Sequence, residues 1–154
     1  LTYENLLQEA ADENIYVIED APFQSRADGL IRNDVIGINR TVRRSTQRAC
    51  VLAEELGHYH TTIGDIINQS SDANRKQELR ARLWSYNKLI GLHGIISCYK
   101  AGCQTAYDMS EHLGVTEDFL QEALHCYRSK YGIYTRFDNY VIFFEPTLSV
   151  LELI

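Results

Sequence analysis

No apolar run in this chain of 154 residues approaches the roughly 18 that a membrane-spanning helix requires, so no membrane partner is expected. The opening Leu1-Thr2-Tyr3-Glu4-Asn5 is polar and lacks the pattern of a signal peptide, which makes a cytoplasmic location the default expectation. The first residue is not methionine, pointing to a trimmed start or an unusual initiation codon. Low-complexity tracts are absent too, and the length suits one folded domain, 1–154, with a real hydrophobic core. C-x-x-C pairs are missing, and Cys50, Cys98, Cys103 and Cys126 are too sparse for a disulfide framework. Reduced, mostly buried thiols are therefore expected, with a structural zinc on Cys98 and Cys103 as the alternative. The chain also lacks net positive charge: its formal charge of −6 argues against nonspecific nucleic-acid binding by the molecule as a whole.

Charge is nevertheless uneven. Between Arg26 and Arg48 lie Arg26, Arg32, Arg40, Arg43, Arg44 and Arg48 against only Asp28 and Asp34. This basic stretch is either a solvated lead into a helix or a face that attracts an acidic protein segment.

The pattern of the first half alternates between short strands and long helices. Tyr3, Leu6, Leu7, Ala10 and Ala11 recur at helical spacing, predicting a helix over 3–13 with Thr2 as its N-cap. Residues 15–18 are β-branched and aromatic, and Asp20-Ala21-Pro22 breaks that strand. Two further apolar runs, 29–31 and 35–38, are joined by the turn-forming Arg32-Asn33-Asp34. Together these predict a small, partly antiparallel sheet. If its last strand lies at the edge, it can hold an extended peptide by strand addition.

A helix is predicted next, beginning near 43–45 and stopping near Ile63-Gly64, glycine being a common terminator. Its middle reads Ala49-Cys50-Val51-Leu52-Ala53-Glu54-Glu55-Leu56-Gly57-His58-Tyr59-His60, apolar around most of its circumference. A helix of that kind is buried, so carboxylates on it must be exposed, paired or bound to a metal. Glu54 and His58 are four apart and share a face, while Glu55 lies about 100° round from Glu54. This is the arrangement of the H-E-x-x-H zinc-protease motif, two ligands at i and i+4 with a general base after the first, here with glutamate in the first ligand position. Leu52, Leu56, Tyr59 and Ile63 form the expected core stripe, with Glu54, His58 and Thr61 nearly opposite. His60 falls on neither stripe and is read as a flanking group.

After a polar loop over 65–74, residues 75–90 predict a second long helix with Leu79, Leu83, Tyr86 and Ile90 as its stripe. Glu78 sits beside that stripe. It either reaches a metal shared with Glu54 and His58, or pairs with Arg75 or Arg82 on its own helix. Farther on, 92–99 and 106–113 read as short helices, and Thr116 caps a helix to Tyr127. Met109 to Leu124 has the look of a helix-turn-helix. In a DNA-reading role, Glu117, Asp118, Gln121 and Glu122 would face phosphate, so docking of a protein or a structural role is expected. The chain ends in a hairpin, 133–137 and 140–144 across Asp138-Asn139, then Pro146 and an apolar tail. His93, His112 and His125 have no partner at metal spacing and are read as structural.

The stretch Leu52-Ala53-Glu54-Glu55-Leu56-Gly57-His58, followed by Arg75-Lys76-Gln77-Glu78-Leu79-Arg80-Ala81-Arg82-Leu83-Trp84, resembles the ImmA/IrrE family of zinc-dependent metallo-endopeptidases, and in particular its phage and mobile-element branch. The likeness runs from Tyr3-Glu4-Asn5-Leu6-Leu7 and Asp20-Ala21-Pro22-Phe23 to Val115-Thr116-Glu117-Asp118-Phe119-Leu120 and Tyr127-Arg128-Ser129-Lys130-Tyr131-Gly132. The resemblance implies cleavage of a partner repressor of the helix-turn-helix class, derepressing the genes it silences. It implies Glu54, His58 and Glu78 as metal ligands and Glu55 as general base. A carboxylate at the family's usual histidine position is an acceptable zinc ligand, but it makes the site harder and broadens metal choice toward manganese. Tyr59, His60 and Tyr86 are candidates to steady the oxyanion. A different class of function, an antirepressor that acts by binding its partner without cleaving it, stands as the alternative.

The fold expected from all this is α+β: a small, partly antiparallel sheet packed on a zincin-like active-site helix over 1–90, then helix-turn-helix-like helices and a terminal hairpin over 91–154.

Overall fold

The computed structural model describes residues 1–62 and 71–154, and the fold is α+β. The chain divides into two compact units, Leu1–Lys88 and Leu89–Ile154. Among the described residues no helix is long and apolar enough to cross a membrane.

The first unit opens with α1 (Tyr3–Asp12), started by a reciprocal cap: Asn5 N–H donates to Thr2 Oγ1 at 3.2 Å and Thr2 N–H donates to Asn5 Oδ1 at 3.0 Å. Its apolar face buries Tyr3, Leu6 and Ala10. Three strands follow, β1 (Tyr16–Ala21), β2 (Gly29–Arg32) and β3 (Val35–Asn39). β1 runs to Ala21, three residues beyond its expected end. Asn33 takes a left-handed φ of 55° in the tight β2–β3 turn, a conformation asparagine tolerates. The order is β1-β3-β2, with β3 parallel to β1 and antiparallel to β2. β3 is therefore the central strand and cannot be the receiving edge considered above; both of its sides are hydrogen-bonded, and the edges belong to β1 and β2.

Helix α2 (Ser45–Thr61) lies behind this sheet with Leu52, Ala53, Leu56 and Gly57 buried. Asn39, almost fully buried, ties the connection from β3 to α2: its Nδ2 donates to the Ala27 carbonyl at 2.9 Å, and its Oδ1 accepts from Thr41 N–H at 3.2 Å. Arg48 fixes the start of the helix, donating to the Val42 carbonyl and to Asp20, both at 2.9 Å. The helix ends at Thr61, two residues before the expected stop at Ile63-Gly64, and residues 63–70, where that stop and most of the expected loop fall, lie outside the described residues.

Helix α3 (Ser71–Leu89) begins four residues earlier than expected, taking in the end of the expected loop. Of its expected stripe Tyr86 and Ile90 are buried and Leu83 is half-buried, but Leu79 departs. Leu79 is 57% exposed, whereas Ala81, Ser85, Tyr86 and Leu89 are buried. The reason is a close backbone crossing: a Cβ placed on Gly57 would collide with the Ala81 carbonyl. Where two helices approach that nearly, small residues face each other, and the large apolar side chains that define a stripe by eye are turned aside.

In the second unit, α4 (Gly91–Lys100), α5 (Ala106–Leu113) and α6 (Glu117–Tyr131) precede an antiparallel sheet of β4 (Tyr134–Phe137), β5 (Tyr140–Phe143) and β6 (Ser149–Glu152) in that order. The expected hairpin is β4–β5, and the apolar tail adds the third strand. Thr116 caps α6 by accepting from Phe119 N–H at 3.1 Å. Tyr127 is fully buried, and its hydroxyl accepts from the Gly91 N–H at 3.1 Å. α4 ends in a Schellman motif, with Gly102 at φ 79° and bonds from Cys103 N–H to the Cys98 carbonyl and from Gly102 N–H to the Tyr99 carbonyl. That motif brings the side chains of Cys98 and Cys103 together. All four cysteines are free.

Candidate active site

The chemistry-bearing side chains of α2 sit between two constraints, the sheet on one side and α3 on the other. Leu52, Leu56 and Gly57 are buried, which fixes the helix in rotation and leaves Glu54, Glu55 and His58 half-buried. Helical geometry then places Glu54 and His58 one above the other.

On the sheet side, β2 approaches α2 at Gly29. A Cβ at that position would lie 2.6 Å from Val51 Cγ1 and 3.0 Å from both Cγ and Oε1 of Glu55. The missing side chain of Gly29 is the space that Glu55 occupies. Gly29→Ala is accordingly expected to cost about 1–3 kcal/mol through overpacking against the stiff Val51 side chain. Chemical denaturation of wild type and variant measures this, and an unchanged midpoint and slope would contradict the packing described.

On the other side, His58 Nε2 stands 3.3 Å from Glu78 Oε2, and the second oxygen of Glu78 lies 3.3 Å from Arg82 Nε. Glu78 meets its helix neighbour Arg82 with one oxygen, as the pairing expected from the sequence, and reaches His58 on α2 with the other.

Glu55 is the electrostatic centre of this group. Burial, reinforced by the negative charges of Glu54 and Glu78, pushes its carboxyl up from the ordinary 4.5 to about 7. A site with this much negative charge suits a divalent cation. The pair His58–Glu78 has a suitable spacing too, because nitrogen and oxygen ligands at about 2.0–2.1 Å in a tetrahedral site stand about 3.3–3.4 Å apart. Among the described residues, however, no three His, Cys, Asp or Glu side chains are grouped so as to hold a metal ion. The structure thus brings His58 and Glu78 to ligand spacing and sets Glu55 in the field of Glu54 and Glu78, without gathering Glu54 into a three-donor cage.

The other histidines have different work. His60 Nε2 lies 3.0 Å from Glu13 Oε2, and its ring stacks on Trp84 with centroids 4.9 Å apart, so it ties α2 to the end of α1 and to α3. Of the three candidates for steadying an oxyanion, His60 is engaged in that way and Tyr86 is buried, while Tyr59 is half-buried beside His60. In the second unit His112 bonds to Ser97 Oγ at 2.8 Å and His125 Nδ1 accepts from Arg128 at 3.1 Å.

A helix carrying adjacent glutamates and a histidine one turn on, backed by a small mixed sheet and crossed by a helix that presents a carboxylate, defines a metallopeptidase-like protein. The chain belongs to the family of the IrrE N-terminal-like domain, a peptidase family whose model matches residues 8–125. That match takes in α2 and α3 and extends through α4, α5 and part of α6. Comparison with curated proteins and with solved structures gives no match.

Proposed function

We propose that this protein is a zinc-dependent endopeptidase of the ImmA/IrrE family, of the phage or mobile-element branch, that acts in the cytoplasm on a helix-turn-helix repressor and so derepresses the genes it silences. Glu54, His58 and Glu78 would hold the metal and Glu55 would serve as general base. The observation that carries this reading is the contact of His58 with Glu78 at ligand spacing beside a Glu55 carboxyl raised to about 7.

When bound, zinc supplies Lewis acidity, easing the deprotonation of a water molecule and polarising the scissile carbonyl. The protein's own groups do the rest. Glu55 takes the proton of the attacking water and returns it to the departing amine, acting as general base and then as general acid. Arg82 holds Glu78 in the orientation that faces His58. Gly29 leaves Glu55 its space. Glu54 would complete the donor set, and as a carboxylate it keeps manganese competitive with zinc.

Elemental analysis of the purified protein tests the site. Wild type is expected to carry about one zinc or manganese per chain, with the content falling well below that in His58→Ala and in Glu78→Ala. No metal in wild type even after reconstitution would overturn the hydrolase reading. That no three donor side chains are grouped among the described residues favours one second reading, an antirepressor that binds its partner without cutting it.

A further inference from the structure

The segment that leads into α2 and the first turn of that helix carry Arg40, Arg43, Arg44 and Arg48 within nine residues. Asp20, Arg40, Thr41, Arg43 and Arg48 line a surface cleft of about 440 Å³. Arg48 is committed inside the fold, to the Val42 carbonyl and Asp20 at 2.9 Å and to Glu19 at 3.9 Å. Asp20, the one acid in the lining, is thereby already compensated. Arg40 and Arg43 are exposed, and among the described residues their guanidinium groups have no carboxylate or hydrogen-bond partner. The first turn of α2 adds no acidic side chain to offset them, although that is where acids are ordinarily favoured.

We infer that this cleft is a docking site for an acidic segment of a protein partner, whose aspartate or glutamate carboxylates pair with Arg40 and Arg43. Guanidinium forks match carboxylates with two parallel hydrogen bonds, which gives direction as well as attraction. An extended segment presents alternate side chains on one face about every 7 Å, so neighbouring carboxylates on that face can meet two separate arginines. The cleft is far larger than an inorganic anion. A nucleic acid is disfavoured because its long run of phosphates would extend past the cleft over a protein of net charge −6. The inference stands apart from the proposed cleavage, since it concerns binding alone and does not need a metal.

The test uses the full chain and a short fluorescein-labelled oligoglutamate, followed by fluorescence anisotropy at low salt. Saturable binding is expected, weakening as salt is raised. Arg40→Glu with Arg43→Glu is expected to cut the affinity on the order of tenfold, and Arg136→Glu, in the second unit, to leave it unchanged. The pair Arg40→Gln with Arg43→Gln, expected to give a smaller loss, keeps the result readable should charge reversal disturb folding. No saturable binding by wild type, or equal binding by the variants, would overturn the inference. So would tighter binding of a labelled oligothymidylate through the same arginines, which would make the cleft a nucleic-acid site, or full displacement of the peptide by inorganic phosphate at about its own concentration, which would make it an adventitious anion site.

Discussion

Glu55→Gln is expected to lower the rate of repressor cleavage by about 10²–10⁴ while leaving partner binding intact, and at the same time to make the metal-free protein more stable above neutral pH. Both effects come from one carboxyl. In the folded protein Glu55 titrates near 7 and in the unfolded chain near 4.5, so folding favours its protonated form. The stability it contributes is fully present below about 4.5 and is lost as the pH rises through about 7. Glutamine keeps the shape and never ionises. At pH about 8 the gain is on the order of 2 kcal/mol, after discounting the shift for the part of Glu55 that meets solvent. Thermal melts of metal-free wild type and variant at pH about 4 and about 8 should coincide at the lower value and separate at the higher. Repressor disappearance, followed by gel, reads the activity. If derepression persists undiminished in Glu55→Gln, the protein works by binding and the endopeptidase reading fails.

The second large effect is expected at Gly57. In a solvent-facing helix, alanine in place of glycine stabilises by up to about 1 kcal/mol, so helix propensity alone forecasts a gain. The crossing of α2 and α3 reverses the sign. The added Cβ would run into the Ala81 carbonyl, and backbone cannot step aside as a flexible side chain can. The helices must part, at an expected cost of about 2 kcal/mol or more. The same movement draws His58 away from Glu78, so metal affinity should fall about 10–100-fold, as when groups that orient a ligand are lost. Urea unfolding and competitive chelation by a zinc dye measure the two quantities. A variant as stable as wild type, with unchanged metal affinity, would show that the crossing does not set the site.

Much of this architecture can be read from the residues because it depends on local chemistry. Thr2 and Thr116 are caps by virtue of their own hydroxyls, the two tight turns form at Asn33-Asp34 and Asp138-Asn139, and the i, i+4 spacing of Glu54 and His58 needs only helical geometry. What escapes is decided at a distance. The place of β3 in the middle of its sheet follows from which strands pair, which no property of residues 35–39 specifies. The inward face of α3 is set by Gly57 on another helix, so a reading based on the largest apolar residues picks Leu79 and is wrong there. Gly29 belongs to the site only through neighbours remote in sequence. A signal for Gly57 did exist: a glycine in the interior of a helix is costly, and a helix that keeps one usually has something close to pass.

Because β3 is enclosed, the open margin of the first sheet that runs past Glu55 is β2, at Gly29. A strand margin offers only repeating amide and carbonyl groups, which every polypeptide shares. A protease that held its target along such a margin would grip almost any extended chain with similar strength. Discrimination among proteins would then have to be exercised elsewhere on the surface, before the chain to be cut is laid down, and the chemistry at Glu55 could stay indifferent to the side chains on either side of the bond it breaks.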